Sequence, residues 1–461
     1  MCDRFTQVSV GDINRRNFVK YTGTAGAATL IAGCSGDDGG NSSGGSNGGG
    51  SGNELQWIGP AWSQREGQEQ KYEEMSGNDL NRTTVTIPTV QQRLLGGENS
   101  TTDAYSVETS GAGALALDND VTIPTPVDEL DKWNPEFISD AFLNPGERLS
   151  YLGAQTETIN DILWADDEQT ELLFPPHAYN FDAVGYNPKF VDDVSLWSAL
   201  FDDQYEGRVT IGETAAITIP EALMHLVDND MVDGDISDIN NPNQDQLDAA
   251  IDFLIEEKEA GQFRTTWTAY GESVTQMAGE EAYLGDLWQP AAMDVRRGDT
   301  PCTYATMAGG LQGYRYWYGG IAPANPGAEE RGNLENVWSL LNDVHYGAWF
   351  PGYIQGWGYS VPHYENTDLV RDGSDDSGEG MGPEYYDWAY EGQATYEAVD
   401  EPSLFDPQQY DWADEEGEPS SDGAERDSGP IEERFDNIGF FQIWPDEADY
   451  MIDRWQDFTA A

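Results

Sequence analysis

The chain has 461 residues, 85 of them acidic and 22 basic, for a formal net charge of −63. That length points to two lobes rather than one compact domain. The charge argues against a nucleic-acid partner, because phosphate contact needs a basic face. The 15 Trp, 23 Tyr and 16 Phe supply a core and argue against disorder for most of the chain. The acid excess reads as adaptation to very high salt. At molar ionic strength the screening length falls to about 3 Å, so surface carboxylates hydrate the protein and repel little. Five lysines against seventeen arginines fit that reading.

The N-terminal stretch "NRRNFVKYTGTAGAATLIAGC" reads as an address. Arg15-Arg16 precede Phe18, Val19 and Lys20, and a short, weakly apolar run ends in Leu30-Ile31-Ala32-Gly33-Cys34. This is the pattern of a twin-arginine export signal closed by a lipobox, residues 1–34, with cleavage before Cys34 and lipid on its thiol. The run from Thr22 to Gly33 is too short to span a bilayer, which takes about 20 apolar residues. Residues 35–53, "SGDDGGNSSGGSNGGGSGN", follow as a flexible linker. A coil of that composition and length spans roughly 25 Å, enough to hold a folded body clear of a membrane surface.

With Cys2 in the signal and Cys34 lipidated, Cys302 remains, and one cysteine makes no internal disulfide. It is expected to be a buried, inert thiol. The four histidines (177, 225, 345, 363) show no ligand spacing, and no HExxH, CxxC pair or Walker-type Gly-Lys-Ser/Thr occurs. A GxSxG pattern falls inside the linker, where no strand-to-helix elbow holds the serine. The expectation is no enzyme, no cofactor and no metal.

In chain order, 54–59 reads as a strand and Ser63 to Met75 as a helix. "TTVTIPTV" (83–90) reads as a β-branched strand. Residues 104–117 read as a strand, a Gly/Ser-rich turn and a small-residue helix, and 181–188 as a strand. Residues 195–213 give a helix, a turn at Glu206-Gly207 and a strand. The clearest amphipathic helix is 246–263, with Leu247, Ile251, Leu254 and Ile255 on one face and Gly261 as its stop. "AYLGDLWQP" (282–290) is a strand running into a turn. "GGLQGYRYWYGGIAPANPG" (309–327) sets four aromatics and an arginine between two Gly-Gly pairs, as a core strand or as one wall of an aromatic pocket. Residues 364–431 are acidic and Gly/Ser-rich and read as solvated loops, and 446–460 as a docking helix.

This order of segments resembles the extracellular solute-binding proteins of ABC importers, of the spermidine/putrescine-binding type. The resemblance is carried by "FDAVGYNPKFVDDVSLWSALFDDQYEGRVTIGE", "GEEAYLGDLWQPAAM", "GGLQGYRYWYGGIAPAN" and "GYSVP". It covers residues 54–363 and about the last thirty. It implies an α/β, two-lobed periplasmic-binding-protein-like fold, with hinge strands and a cleft between lobes that closes on a solute. The implied lobes are 54–182 with 318–350, and 183–317 with 351–461, the second carrying the acidic insert at about 364–431. The implied partners are a small-molecule solute and an ABC permease, the protein being a monomer held on the membrane's outer face by its lipid.

Carried over to matching positions, the ligand-binding candidates are Trp62 and Ser63, Thr109 and Ser110, Glu213, Trp288 and Gln289, Tyr316, Trp317 and Tyr318, and Tyr359. Aromatic faces attract cations at about 0.5–2 kcal/mol each, and the hydroxyls and amide orient a solute. One departure stands out. Binders of this type place a carboxylate two residues after the return-strand Trp, and that register falls on Gly319 or Tyr318 here. The class is therefore better supported than a polyamine ligand. An exported hydrolase with paired carboxylates and a rigid surface protein without a cleft are the competing readings.

Overall fold

The computed structural model describes residues 54–347 except 193 and 299, then 350, 354, 359–362 and 431–461. The signal with Cys34, the linker 35–53 and all of the acidic insert save Ile431 lie outside the described residues.

Among the described residues thirteen strands run in chain order as β1 Leu55–Gly59, β2 Leu80–Thr84, β3 Ala104–Glu108, β4 Thr125–Pro126, β5 Glu171–Leu172, β6 Pro176–Asp182, β7 Gly185–Tyr186, β8 Val209–Gly212, β9 Phe263–Trp267, β10 Leu284–Gly285, β11 Thr303–Tyr304, β12 Tyr314–Pro323 and β13 Ile438–Phe441. Two sheets carry the molecule. The first runs β13-β12-β3-β1-β2 with β6 on the other edge of β12, and the second runs β11-β7-β10-β8-β9. In each, parallel neighbours alternate with helices and antiparallel strands close the edge. The chain passes between the sheets at Ala183–Val184, from β6 to β7, and again between β11 and β12.

The lobe division expected at residue 317/318 falls inside β12, which pairs along its whole length with first-sheet strands. β13 also lies in the first sheet. The helix Ala448–Ala460 then returns to the helix Gln244–Ala260 beside the second sheet. There Tyr450 Oη donates to Asp248 at 2.8 Å, and Lys258 Nζ donates to the Phe458 carbonyl at 2.9 Å. Met451, Trp455 and Phe458 are its buried face.

Several elements stand where the residue pattern puts them. Gln244–Ala260 is opened by a capping box of Asn243 and Gln246 and stopped by Gly261 in the left-handed region. Two elements differ. "TTVTIPTV" divides into the end of β2 and a helix, Ile87–Leu95, because Pro88 is suited to a helix's first turn and the preceding Thr86 is extended. Ala215–Asp228 is a helix despite Pro220, and twelve of its fourteen residues are buried. Its apolar residues surround it, so no amphipathic stripe marks it.

All ten residues of β12 are buried, and their two-residue period sorts them by face. Tyr314, Tyr316 and Tyr318 join an aromatic core, with Tyr316 against Phe181 at 5.2 Å and Tyr318 against Phe142 at 5.9 Å between ring centroids. Arg315, Trp317 and Gly319 take the opposite face, where the two sheets meet. Among the described residues no helix is long and apolar enough to cross a membrane.

Candidate functional site

Asp182 ends β6 directly opposite Arg315, and Asn180 lies opposite Trp317. Arg315 reaches Asp182 Oδ2 with one nitrogen and Glu221 Oε1 with the other, both at 2.8 Å, and all three side chains are 0% exposed. Glu221 comes from the helix Ala215–Asp228 behind β8, so this pair of bonds ties the second half of the molecule to the first. Trp317 Nε1 donates to Asp182 Oδ2 at 2.9 Å, and Asn180 Nδ2 and Tyr304 Oη donate to Oδ1 at 2.9 and 3.1 Å. Asp182 is thus saturated with donors.

Asp286, just after β10, accepts from the Gly212 amide at 2.9 Å and from Trp267 Nε1 at 3.1 Å. It also hydrogen-bonds to Glu221. Burial pushes the Asp286 carboxyl up to about 6, and burial with the Asp286 charge raises Glu221 well above the usual range. The contact between the two carboxyls raises Glu221 and lowers Asp286. Burial alone would lower Arg315, but Asp182 and Glu221 more than offset this and keep the guanidinium charged.

Because Asp286 is higher in the folded chain than in the unfolded one, the folded state binds the extra proton between about pH 4 and 6. Stability from this group is therefore full below the unfolded value and is lost as pH rises through 6. Asp286→Asn is expected to lose less stability than the wild type between pH 4 and 7, as read from paired melting curves.

The aromatic residues form two groups on either side of this buried charge. On the first-sheet side Trp62 stacks on His177 with centroids 5.5 Å apart and meets Trp317 edge-on at 5.4 Å, and Tyr359 meets Trp317 at 5.1 Å and 90°. Tyr359 is placed by its neighbour Ser360, which exchanges both backbone hydrogen bonds with Tyr179. On the second-sheet side Trp288 meets Trp267 at 5.1 Å and lies parallel to Tyr270 at 6.3 Å. Gln289 opens the helix Gln289–Arg297; it is 1% exposed and neither amide atom has a partner.

The remaining sequence candidates separate. Ser63 Oγ donates to Ser106 Oγ at 2.7 Å and sits 3.1 Å from His177 Nε2, behind Trp62. Burial holds His177 neutral, down to about 3. Thr109 donates to the Gln442 carbonyl and Ser110 to Glu108. Glu213 accepts from Thr266 Oγ1 beside Trp267. Tyr316 and Tyr318 are turned into the core and do not share a face with Trp317, since strand alternation forbids all three from facing one cleft. Arg315, Asp182, Glu221 and Asp286 were not among the candidates. The available signal was Arg315 itself, a charge inside an otherwise apolar, aromatic strand, which demands buried acids.

The absent acid has a steric account. A Cβ at Gly319 would lie 1.9 Å from Trp62 Cη2, so the ring occupies the space any side chain at 319 would need. At Gly320 a Cβ would lie 2.7 Å from the Pro175 carbonyl, which accounts for the paired glycines.

Solved structures share this overall fold. The putative spermidine/putrescine ABC transporter from Listeria monocytogenes matches 88% of this chain and 98% of its own, with TM-score 0.57 at 12% identity. The spermidine/putrescine ABC transporter substrate-binding protein PotD from Streptococcus pneumoniae, in complex with calcium and HEPES, gives 0.55 at 12% identity over 88% and 98%. The Atu4243–GABA receptor gives 0.53 at 14% over 88% and 97%. The chain has the fold of ABC-transporter substrate-binding proteins. No family model and no curated protein sequence matches it. Within that fold, the floor built on β12 is where the two sheets are joined by side chains, Arg315 to Glu221. Among the described residues no group of three or more His, Cys, Asp or Glu side chains is placed to hold a metal ion.

Proposed function

We propose that the protein is an extracellular receptor that captures a small cationic solute between its two lobes and delivers it to an ABC importer. On this reading Cys34 carries the lipid that holds it to the outer face of the cytoplasmic membrane, and the acidic surface keeps it soluble in concentrated salt. One observation carries the reading. Tryptophans from both sheets, Trp62 and Trp317 from one and Trp267 and Trp288 from the other, flank a single buried floor in a fold used by solute-binding proteins. Separation of the sheets would uncover the ring faces, and a solute bound between them would favour the closed arrangement by its differential affinity.

No turnover follows from this reading. The nearest carboxyl pair, Glu221 and Asp286, is fully buried and shares a proton.

Titration of the mature protein in molar KCl with amines, sugars and organic acids tests it by tryptophan fluorescence and melting temperature. A ligand at a hundred times its Kd is expected to add about 2.7 kcal/mol of stability. Absence of any saturable change across the panel would count against the receptor.

Trp288 and Trp317 are expected to separate in mutagenesis. Trp288 is partly exposed, so Trp288→Ala weakens binding with a small loss of stability. Trp317 is 4% exposed and bonds Asp182, so Trp317→Ala is expected to cost about 3–5 kcal/mol of folding free energy as well. Chemical denaturation beside a binding isotherm separates the two effects.

A further inference from the structure

Four carboxyl groups stand on or over the floor, and three are answered from within the chain. Asp182 and Glu221 hold Arg315, and Asp286 has the Gly212 amide and the Trp267 indole. Glu108 differs. It accepts from Ser110 Oγ at 2.8 Å and Gln442 Nε2 at 3.0 Å, both neutral donors and both on Oε1, and it forms no salt bridge among the described residues. Burial pushes its carboxyl above the ordinary range, against the opposing pull of its two hydrogen bonds and of the Arg315 charge.

Its position is informative. Glu108 ends β3 directly opposite Gly319, and facing residues of antiparallel strands project to one side. The carboxylate therefore stands on the face of Trp317, beside the space that Trp62 fills. A second observation points to the same place. Asn180, opposite Trp317 on the other neighbouring strand, is fully buried; its Nδ2 donates to Asp182, and its Oδ1 has no partner among the described residues. A buried amide oxygen left bare is costly, and a donor brought by a ligand would recover that cost.

We propose that the solute is a compact primary amine with one positive charge, its ammonium group held by Glu108 and Asn180 Oδ1 among the rings of Trp62, Trp317 and Tyr359. This rests on the solute-receptor reading. An ammonium has three donors and no acceptor, which suits a carboxylate and a carbonyl together with ring faces. The acid missing from position 319 is thus supplied across the strand pair. On the floor itself a second ammonium finds no open acid among the described residues, because Asp182, Glu221 and Asp286 are already engaged, and a buried unpaired charge is costly. Gln289, with both amide atoms open, suits a neutral hydroxyl or carbonyl tail.

The test is a titration of the mature protein in molar KCl with three five-carbon compounds, pentanol, aminopentanol and diaminopentane, and with spermidine. Aminopentanol is expected to bind at least about tenfold more tightly than the others, about 1.4 kcal/mol. Glu108→Gln is expected to remove that preference and Glu108→Asp to keep part of it, with melting temperatures as the control for folding. Tighter binding of diaminopentane or spermidine overturns the proposal, as does unchanged amine affinity in a folded Glu108→Gln. Should Glu108→Gln fold poorly, Asn180→Asp reads the same site: an added carboxylate narrows the preference over diaminopentane, and an unchanged preference contradicts the assignment. If an uncharged sugar or an organic acid alone saturates the protein, the receptor stands and the amine assignment falls. If no solute does, the receptor reading itself falls.

Discussion

Replacing Arg315 with methionine is expected to destabilise the protein by about 3–5 kcal/mol, more than any other single change at the floor. Among the described residues the guanidinium is the one cation bonded to Asp182 and Glu221, and all three side chains are without solvent exposure. Its removal leaves two acids that water does not reach. They respond differently. Burial and the Asp286 charge favour the protonated form of Glu221, so it needs the counter-charge less. Asp182 keeps Trp317, Asn180 and Tyr304 as donors, but these are neutral. The loss should therefore fall mainly on Asp182, left buried without its cation. Arg315→Lys keeps the charge but not the fork that spans both carboxylates, and is expected to fall between the two. Denaturant titration in molar salt is the measurement, since salt screens surface pairs and leaves this one intact. A loss below about 1 kcal/mol at every pH would contradict the bonding described.

Gly319→Asp is the second large effect, and its direction is opposite to what the missing acid suggests. Restoring a carboxylate at that position is expected to weaken the protein by about 1–3 kcal/mol or more, because the new Cβ meets the Trp62 ring. It would also damage the site, since Trp62 must leave its stack on His177 and its contact with Trp317. No gain of polyamine binding is expected. The interpretation is checked by a double-mutant cycle. With Trp62→Ala in the background the ring is gone, and Gly319→Asp should cost less by about 0.5–3 kcal/mol. Additivity within about 0.5 kcal/mol would mean that ring and glycine are not coupled.

These two residues mark how far the sequence could be read. The α/β alternation, the Gly261 stop and the return helix are legible because each is local: a period, a cap, a run of β-branched residues. The helix Ala215–Asp228 is not, because it is buried nearly all round and carries Pro220. Ile87–Leu95 is masked by Thr and Val, which favour strands when tertiary packing does not decide.

At the site, the tryptophans were visible as residue types, but their partners depend on register. Nothing local places Glu108 opposite Gly319 or Asp182 opposite Arg315. With 85 acidic residues in the chain, no single carboxylate stands out by itself. Period two does make one deduction available from sequence: with Trp317 in the cleft, Tyr316 and Tyr318 must face away. The aromatic run between two Gly-Gly pairs is therefore both things at once. Its tyrosines are core, its arginine and tryptophan are floor, and its second glycine pair admits the Trp62 ring, the Phe174 ring and the Pro175 carbonyl.

The central claim is that a small molecule binds between the two sheets. The most direct test is mass spectrometry of what the folded protein releases on denaturation after purification from the cells that make it, without prior dialysis. The account predicts a stoichiometric small amine, lost from Trp288→Ala protein purified in the same way. Release of no small molecule from any preparation, with melting temperature unmoved by every solute offered, would contradict it.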